Sequence, residues 1–564
     1  MTRLFTLDFP RISRILFFVL ITTNGLMKPV FAWDPPAYGQ NGMVVAHDEL
    51  AAQAGRDILA AGGNAVDAAV AVGYALAVTY PQAGNIGGGG FMVIRMADGR
   101  MAAIDYREKA PAMATRDMFL DDSGRVVQGL SLRGGLAVGV PGTVAGLQMA
   151  LDNYGTMKLK KVIDPAITLA KRGFPVNFYL SHALHYLNQA AAKYPETVRV
   201  FGRNGNPPKP GEIFKQPDLA RTLKTIRRKG PDGFYKSKVA QNLVESVQAA
   251  GGIISLQDLE NYQPVLRRPV TGEYKDYEVL SMPPPSSGGI ALISMLNMLK
   301  QFELDTMSWH GADYVHILTE VERRAYADRS VWLGDADYWP VPTETLLSMA
   351  YANSRMSDYV WGKATPSSVV HPLGEAAMDS LKAFLQESEE TTHYSVVDKW
   401  GNAVSTTTTL NWTFGSLVTV NDCGFLLNDE MDDFSAKPGV PNAFGLVGNE
   451  ANAVQPNKRM LSSMTPTIFV KNDSVRYIIG TPGGSTIITS VMQVFLNAVE
   501  ENMGIVDAVR MPRVHHQWLP DVIYVEPYAL GPETVTALAE RGYQVVIRGT
   551  IGEVNAIAWD PIFN

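Results

Sequence analysis

Between positions 49 and 78, small apolar residues recur in two blocks separated by Gly62 and Gly63. The pattern predicts a helix over 49–61 capped by Asp48, then a second over 65–78 capped by Asn64. The second block, AVDAAVAVGYALAV, is apolar almost all round, so it belongs inside the molecule. Pro81 ends it, and a loop carrying four consecutive glycines, 87–90, leads to strand-like runs at 91–95 and 101–106. Positions 140–385 read as helices with short loops. Turns are marked by Pro141 and Gly142, by Pro210 and Gly211, and by the run PPPSSGG at 283–289.

From position 391 the period changes. The stretch 391–398 alternates and is β-branched, a turn follows at Lys399, Trp400 and Gly401, and 402–410 returns as its hairpin partner. A second hairpin is predicted from 465–471 and 475–480 around Asn472 and Asp473, and Gly483 and Gly484 open a helix to about 500. Further strands fall at 522–526 and 543–548. Helix-rich flanks around two strand sets predict an α+β chain layered as an αββα sandwich.

Composition narrows the class. The 564 residues are 46% hydrophobic and 19% charged, which excludes a disordered chain. Charge is 49 − 56 = −7 without a basic stripe, so no nucleic-acid footprint is present. The single cysteine, Cys423, excludes an internal disulfide framework and a cysteine zinc cluster. Arg3, Arg11 and Arg14 precede a short apolar run, 15–21, and Val30 and Ala32 suit a cleavage site. The expectation is a signal peptide, 1–32, removed after Ala32, and a secreted or periplasmic protein with no later segment of membrane-spanning length.

Candidate chemistry is sparse when each residue is taken alone. Thr391 opens a strand, a common place for threonine. It gains an adjacent base only if the bond after Glu390 is cut, because its nitrogen then becomes an amine of pKa about 7.7–8.0. TPGGS, 481–485, lies where a strand gives way to a helix, a place for backbone N–H groups to meet an oxyanion. Arg107 follows a strand and suits a bidentate grip on a carboxylate. The acidic run 428–433 lacks calcium-loop spacing, and the four-glycine loop lacks the phosphate-loop pattern. The nine histidines show no metal-ligand pairing, so no metal and no cofactor is expected.

Taken together, six stretches in order resemble the γ-glutamyltranspeptidase family of N-terminal-nucleophile hydrolases. They are GGNAVDAAVAVGYALAVTYPQAGNIGGGGFMV (62–93), REKAP (107–111), TTHYSVVD (391–398), LLNDEMDDFSAKPGVPN (426–442), PNKRMLSSMTPT (456–467) and TPGGS (481–485). The resemblance implies autocatalytic cleavage between Glu390 and Thr391 into a large subunit, 33–390, and a small subunit, 391–564, that stay associated. It implies that Thr391 attacks a γ-glutamyl amide, that Thr409 assists it, and that Gly483 and Gly484 supply the oxyanion-hole N–H groups. It assigns Arg107, Ser462 and Ser463 to the donor's α-carboxylate and Asn411, Glu430 and Asp433 to its α-ammonium. Residues 437–448 resemble the family's lid, with Phe444 over the site. Glutathione and related donors, amino-acid or peptide acceptors and water are the implied partners.

Several positions depart from the family pattern. Thr486 stands where many members carry arginine, Met460 replaces a proline, and Leu417 and Asn421 occupy glycine positions, so that turn is expected to be reshaped. The residues that match the family's penultimate strand end near Asn564, which predicts an exposed sheet edge. Two rival readings follow: an acylase of the same fold acting on another amide, cephalosporin-type, and an unprocessed, non-enzymatic secreted relative. A glutaryl donor has no ammonium to pair with Glu430 and Asp433, which counts against the first.

Overall fold

Alternation of side chains across two sheets builds the interior. The computed structural model describes residues 36–372 and 391–560, so the expected signal segment and Glu390 lie outside the described residues. The chain from Gln40 onward is one unit, distinct from Met1–Gly39.

Eleven strands of the two main sheets are numbered here in chain order: β1 (Gly42–Ala46), β2 (Gly89–Arg95), β3 (Met101–Asp105), β4 (Val265–Arg267), β5 (Val270–Tyr274), β6 (Tyr277–Ser281), β7 (Thr391–Asp398), β8 (Ala403–Thr409), β9 (Thr467–Lys471), β10 (Ser474–Gly480) and β11 (Asn555–Ala558). The first sheet runs β1-β7-β8-β2-β3-β4 and the second β11-β10-β9-β6-β5, all pairs antiparallel. One set of residues, including Phe91, Val93, Val397, Leu280, Ile468 and Ile478, fills the seam between the sheets. Their neighbours in sequence point the other way. Met92, Ile94, Tyr394, Val396 and Val404 pack with α1 (Glu49–Ala60) and α2 (Ala65–Thr79). Val279, Phe469 and Ile479 pack with α3 (Gly288–Leu299), α4 (Ala312–Trp332) and α5 (Ile487–Val499). The layering is therefore αββα.

Both cap expectations at the start hold. The Asp48 carboxylate accepts from Ala51 N, and Asn64 forms a capping box with Asp67. The N-terminus of α2 is also held from far along the chain, since Asp398 accepts from Ala65 N at 2.9 Å. The middle of the chain is corrected by the structure. Residues 265–281, read as part of a helical region, form β4, β5 and β6. These strands are three to five residues long and partly exposed; β5 and β6 form a hairpin turning at Lys275 and Asp276, while β4 and the outer side of β6 pair with strands far along the chain. The later strands are shorter than expected, Ile523–Val525 and Val545–Ile547, and pair in parallel in a small third sheet.

The departures at 417 and 486 have local consequences. Leu417 is buried in left-handed backbone at φ 65°, and its carbonyl accepts from the Thr197 hydroxyl at 2.8 Å. Thr486 donates its hydroxyl to the Gly483 carbonyl at 2.8 Å, closing the turn that precedes α5. At the other side of the second sheet β11 is the edge strand among the described residues, where it pairs with β10 alone.

Candidate active site

Register places two hydroxyls together. Thr391, the first residue of β7, lies directly opposite Thr409, the last of β8. The Thr391 hydroxyl donates to Thr409 Oγ1 at 3.3 Å, and the Asn411 N–H donates to the same oxygen at 2.8 Å. Asn411 reaches this position through left-handed backbone, φ 78°, which asparagine tolerates better than most residues. Behind Thr391 the seam-facing side of the hairpin is polar. His393 contacts the Thr407 and Ser395 hydroxyls at 2.8 and 3.1 Å. Burial pushes the His393 pKa down to about 3, so the ring is neutral and braces the strands. Gly480 lies so close that a Cβ there would stand 2.1 Å from the His393 ring, which is why the second sheet can approach β7.

One cavity gathers most of the residues singled out in the sequence. Thr391, Thr409, Asn411, Arg107, Glu430, Asp433, Ser462, Ser463, Phe444 and Gly484 line it. Gly483 is adjacent in the chain but is not on its wall. Gly483 and Gly484 take φ of 133° and 54°, so both positions require glycine. Phe444 is part of the cavity wall: its ring stacks on Trp412 with centroids 5.5 Å apart and lies against the place where a Cβ on Gly484 would fall, 2.9 Å away.

The charges within the wall are paired with each other. Arg107, wholly buried, forms ion pairs with Glu430 and Asp433, and its guanidinium also donates to the Met460 and Leu461 carbonyls, each at 3.3 Å. Burial works against its charge, but Glu430, Asp433 and Glu108 outweigh that and hold its pKa above the ordinary arginine value. The same desolvation raises the acids. Glu430 is pushed up to about 7 against the pull of Arg107, and Asp433 is raised for the same reason. Glu108, whose carboxylate oxygens accept no hydrogen bond from the described residues, is raised well above the carboxylate range by burial and then by Glu430. Three carboxyl groups, Glu108, Glu430 and Asp433, thus titrate as a coupled set around one charged arginine.

Sequence reasoning passed over Glu108 and three further residues. Tyr326 and Arg329, one turn apart on α4, reach the site: the Tyr326 hydroxyl donates to the Ser485 carbonyl, and Arg329 lines the cavity. Gln517 links the Ser485 hydroxyl, at 2.7 Å, to the carbonyl of Phe444 at 3.4 Å. A signal for α4 was available, since its 21 residues carry Glu320, Glu322, Arg323, Arg324, Asp328 and Arg329 and leave no polar face distinct from an apolar one.

Comparison with known proteins agrees with this geometry. Residues 51–562 match the family model described as gamma-glutamyltranspeptidase. The chain is 49% identical over 527 residues to the glutathione hydrolase proenzyme of Escherichia coli strain K12, covering 93% of this chain and 89% of that protein. It is 36% identical over 538 residues to the acylase ACY 1 proenzyme of Pseudomonas sp. strain V22, covering 93% and 91%. The cephalosporin acylase structure from Bacillus halodurans superposes with a TM-score of 0.83 at 27% identity, over 95% of both chains. The match over almost the whole length, together with the threonine hairpin and the glycine turn at one cavity, makes the chain a member of the γ-glutamyltranspeptidase family.

Proposed function

We propose that the chain is a γ-glutamyltransferase and glutathione hydrolase that cuts itself before Thr391 and then uses that residue as its nucleophile. The observation that carries this reading is the Thr391 hydroxyl, 3.3 Å from Thr409, in a cavity that also holds Gly484 and a cluster of opposite charges. Once the bond after Glu390 is broken, the new amine takes the hydroxyl proton as Oγ1 attacks the γ-carbonyl. The oxyanion faces the N–H groups of the glycine turn, and the amine of the leaving group departs with a proton. Water, or the amine of an amino acid or peptide, then attacks the acyl-threonine ester and restores the free hydroxyl. Arg107, Ser462 and Ser463 serve the donor's α-carboxylate, and Asn411, Glu430 and Asp433 its α-ammonium. The fragments 33–390 and 391–564 remain joined through the shared first sheet, and residues 1–32 direct export.

N-terminal sequencing of the smaller fragment is the decisive experiment, with Thr-Thr-His as the expected start. Any other start sinks the proposal. Faster release of p-nitroaniline from a glutaryl donor than from the γ-glutamyl donor assigns the site to the acylase class instead.

Arg107→Lys is expected to raise the donor KM by about tenfold while kcat changes little, because one ammonium cannot reproduce a guanidinium's several directed contacts. An unaltered KM removes Arg107 from the donor site. The pH profile offers a second check. Protonating Glu430, near pH 7, removes negative charge from the ammonium pocket, and protonating the Thr391 amine, at about pH 7.7–8.0, removes the base. Both losses occur as pH falls, and kcat/KM reports the free enzyme. Its logarithm should therefore drop with a slope approaching about two below both values. Glu430→Gln leaves the amine alone, and the slope returns to about one. A wild-type slope of one that this substitution does not change contradicts the role given to Glu430.

A further inference from the structure

We infer that Arg329 is a specificity-determining residue of the donor site, the cation that backs the α-carboxylate pocket through Ser463. This rests on the proposed function above and adds a residue to it. Arg329 lies on α4, is only 5% exposed, and lines the same cavity as Thr391, Ser462 and Ser463. Its Nε donates to the Ser287 hydroxyl at 2.9 Å, and a terminal nitrogen donates to the Ser463 hydroxyl at 3.1 Å. Ser287 in turn donates to the Ser462 carbonyl at 2.7 Å, and its N–H donates to the same oxygen at 2.7 Å. The proline-rich turn at 283–289 thereby acquires a purpose: it presents Ser287 to fix both the guanidinium and the serine pair.

Chemistry follows from which atoms are occupied. The Ser463 oxygen accepts from Arg329, so its O–H is left to donate, and an anion is the partner a polarised hydroxyl prefers. The guanidinium itself forms no ion pair with a described carboxylate. Asp433 is the carboxylate whose charge reaches it, yet Asp433 is bonded to Arg107. A buried arginine held by two neutral hydroxyls is costly unless a counter-ion completes it. Burial accordingly draws its pKa below the ordinary arginine value. Arg107, by contrast, already has Glu430 and Asp433 beside it. The carboxylate of an incoming donor is the anion of the right charge for this place, and a donor without one leaves Arg329 unpaired.

Two donors that differ only at this group test the inference: γ-glutamyl-p-nitroanilide and 4-aminobutyryl-p-nitroanilide, which keeps the ammonium and lacks the carboxylate. Arg329→Gln is expected to raise KM for the first about thirtyfold, with kcat within about threefold, as loss of a charged hydrogen-bond system does. Its kcat/KM for the second should stay within about threefold of wild type. Equal losses on both donors, or an unchanged KM for the first, overturn the inference by reducing Arg329 to a packing residue. If the glutamine variant does not mature, Ser287→Ala decides in its place, since it frees Nε without removing the charge. A KM increase confined to the carboxylate donor supports the inference, and its absence overturns it. Failure of the wild-type protein to release p-nitroaniline from the γ-glutamyl donor is a separate result, and it refutes the proposed function itself.

Discussion

Thr391→Ala is expected to give a single uncut chain with no measurable transfer, a loss on the order of 10⁴-fold or more. Two separate events need the same side chain. On the proposed mechanism, Oγ1 attacks the preceding carbonyl in the precursor, and the Thr409 hydroxyl and the Asn411 N–H form the polar chain beside it. After cleavage, the oxygen attacks the donor and the freed nitrogen receives the proton. Alanine supplies neither attack, and without the first, residue 391 never acquires a free amine. Packing is barely disturbed, because Thr391 sits at the start of β7 and its register with Thr409 is held by backbone bonds further along the hairpin. Thr391→Ser separates the two demands. It keeps an oxygen at the same place, so the precursor should still divide, more slowly. A denaturing gel reads both variants. A cleaved and active alanine variant is the outcome that ends the mechanism.

The second large effect belongs to the glycine turn. Gly484→Ala is expected to lower kcat by about 10²–10³-fold, the range for loss of an oxyanion donor. Gly484 lines the cavity at φ 54°, and an added Cβ would come within 2.9 Å of the Phe444 ring. The turn has little freedom to absorb this. Its carbonyl at Gly483 is tied to both the N–H and the hydroxyl of Thr486, and the carbonyl of Ser485 to Tyr326. The substitution therefore rotates the N–H groups or displaces Phe444, and either change separates the oxyanion from its donors. Steady-state kinetics with γ-glutamyl-p-nitroanilide is the measurement, and a kcat equal to wild type would remove this turn from the chemistry.

These two expectations draw on features of different legibility. The threonine hairpin and its turn were readable locally, because strand alternation with β-branched residues and a Lys-Trp-Gly break need no distant partner. The glycine turn was readable for the same reason, as were the capped helices at Glu49–Ala60 and Ala65–Thr79. Motif order carried the remaining named residues, and the cavity gathers them with the exception of Gly483. Short strands that pair only over long distances were not legible. Val265–Arg267 pairs with Met101–Asp105, and Gly42–Ala46 pairs with Thr391–Asp398, and neither bears a local signature beyond five residues.

The site's electrostatics divide along the same line. That Arg107, Glu430 and Asp433 are candidates for the site followed from their place in recognisable motifs, and they line one cavity. That they pair with each other, and that Glu430 titrates near neutrality, depends on how much water the surrounding layers exclude. Arg329 is the clearest case. Within its helix it is one of several charged residues, and only the packing of α4 against the turn at 283–289 and the serine pair gives it two hydroxyl partners. Local periodicity, caps and turns were determined by the sequence alone, since each depends on neighbours along the chain, and the order of the motifs singled out Thr391 as the candidate nucleophile. The long-range strand pairings, the coupled titration of the three carboxyl groups and the second arginine of the cavity were decided by the tertiary structure. They depend on distance and desolvation between groups that the chain brings together only when folded.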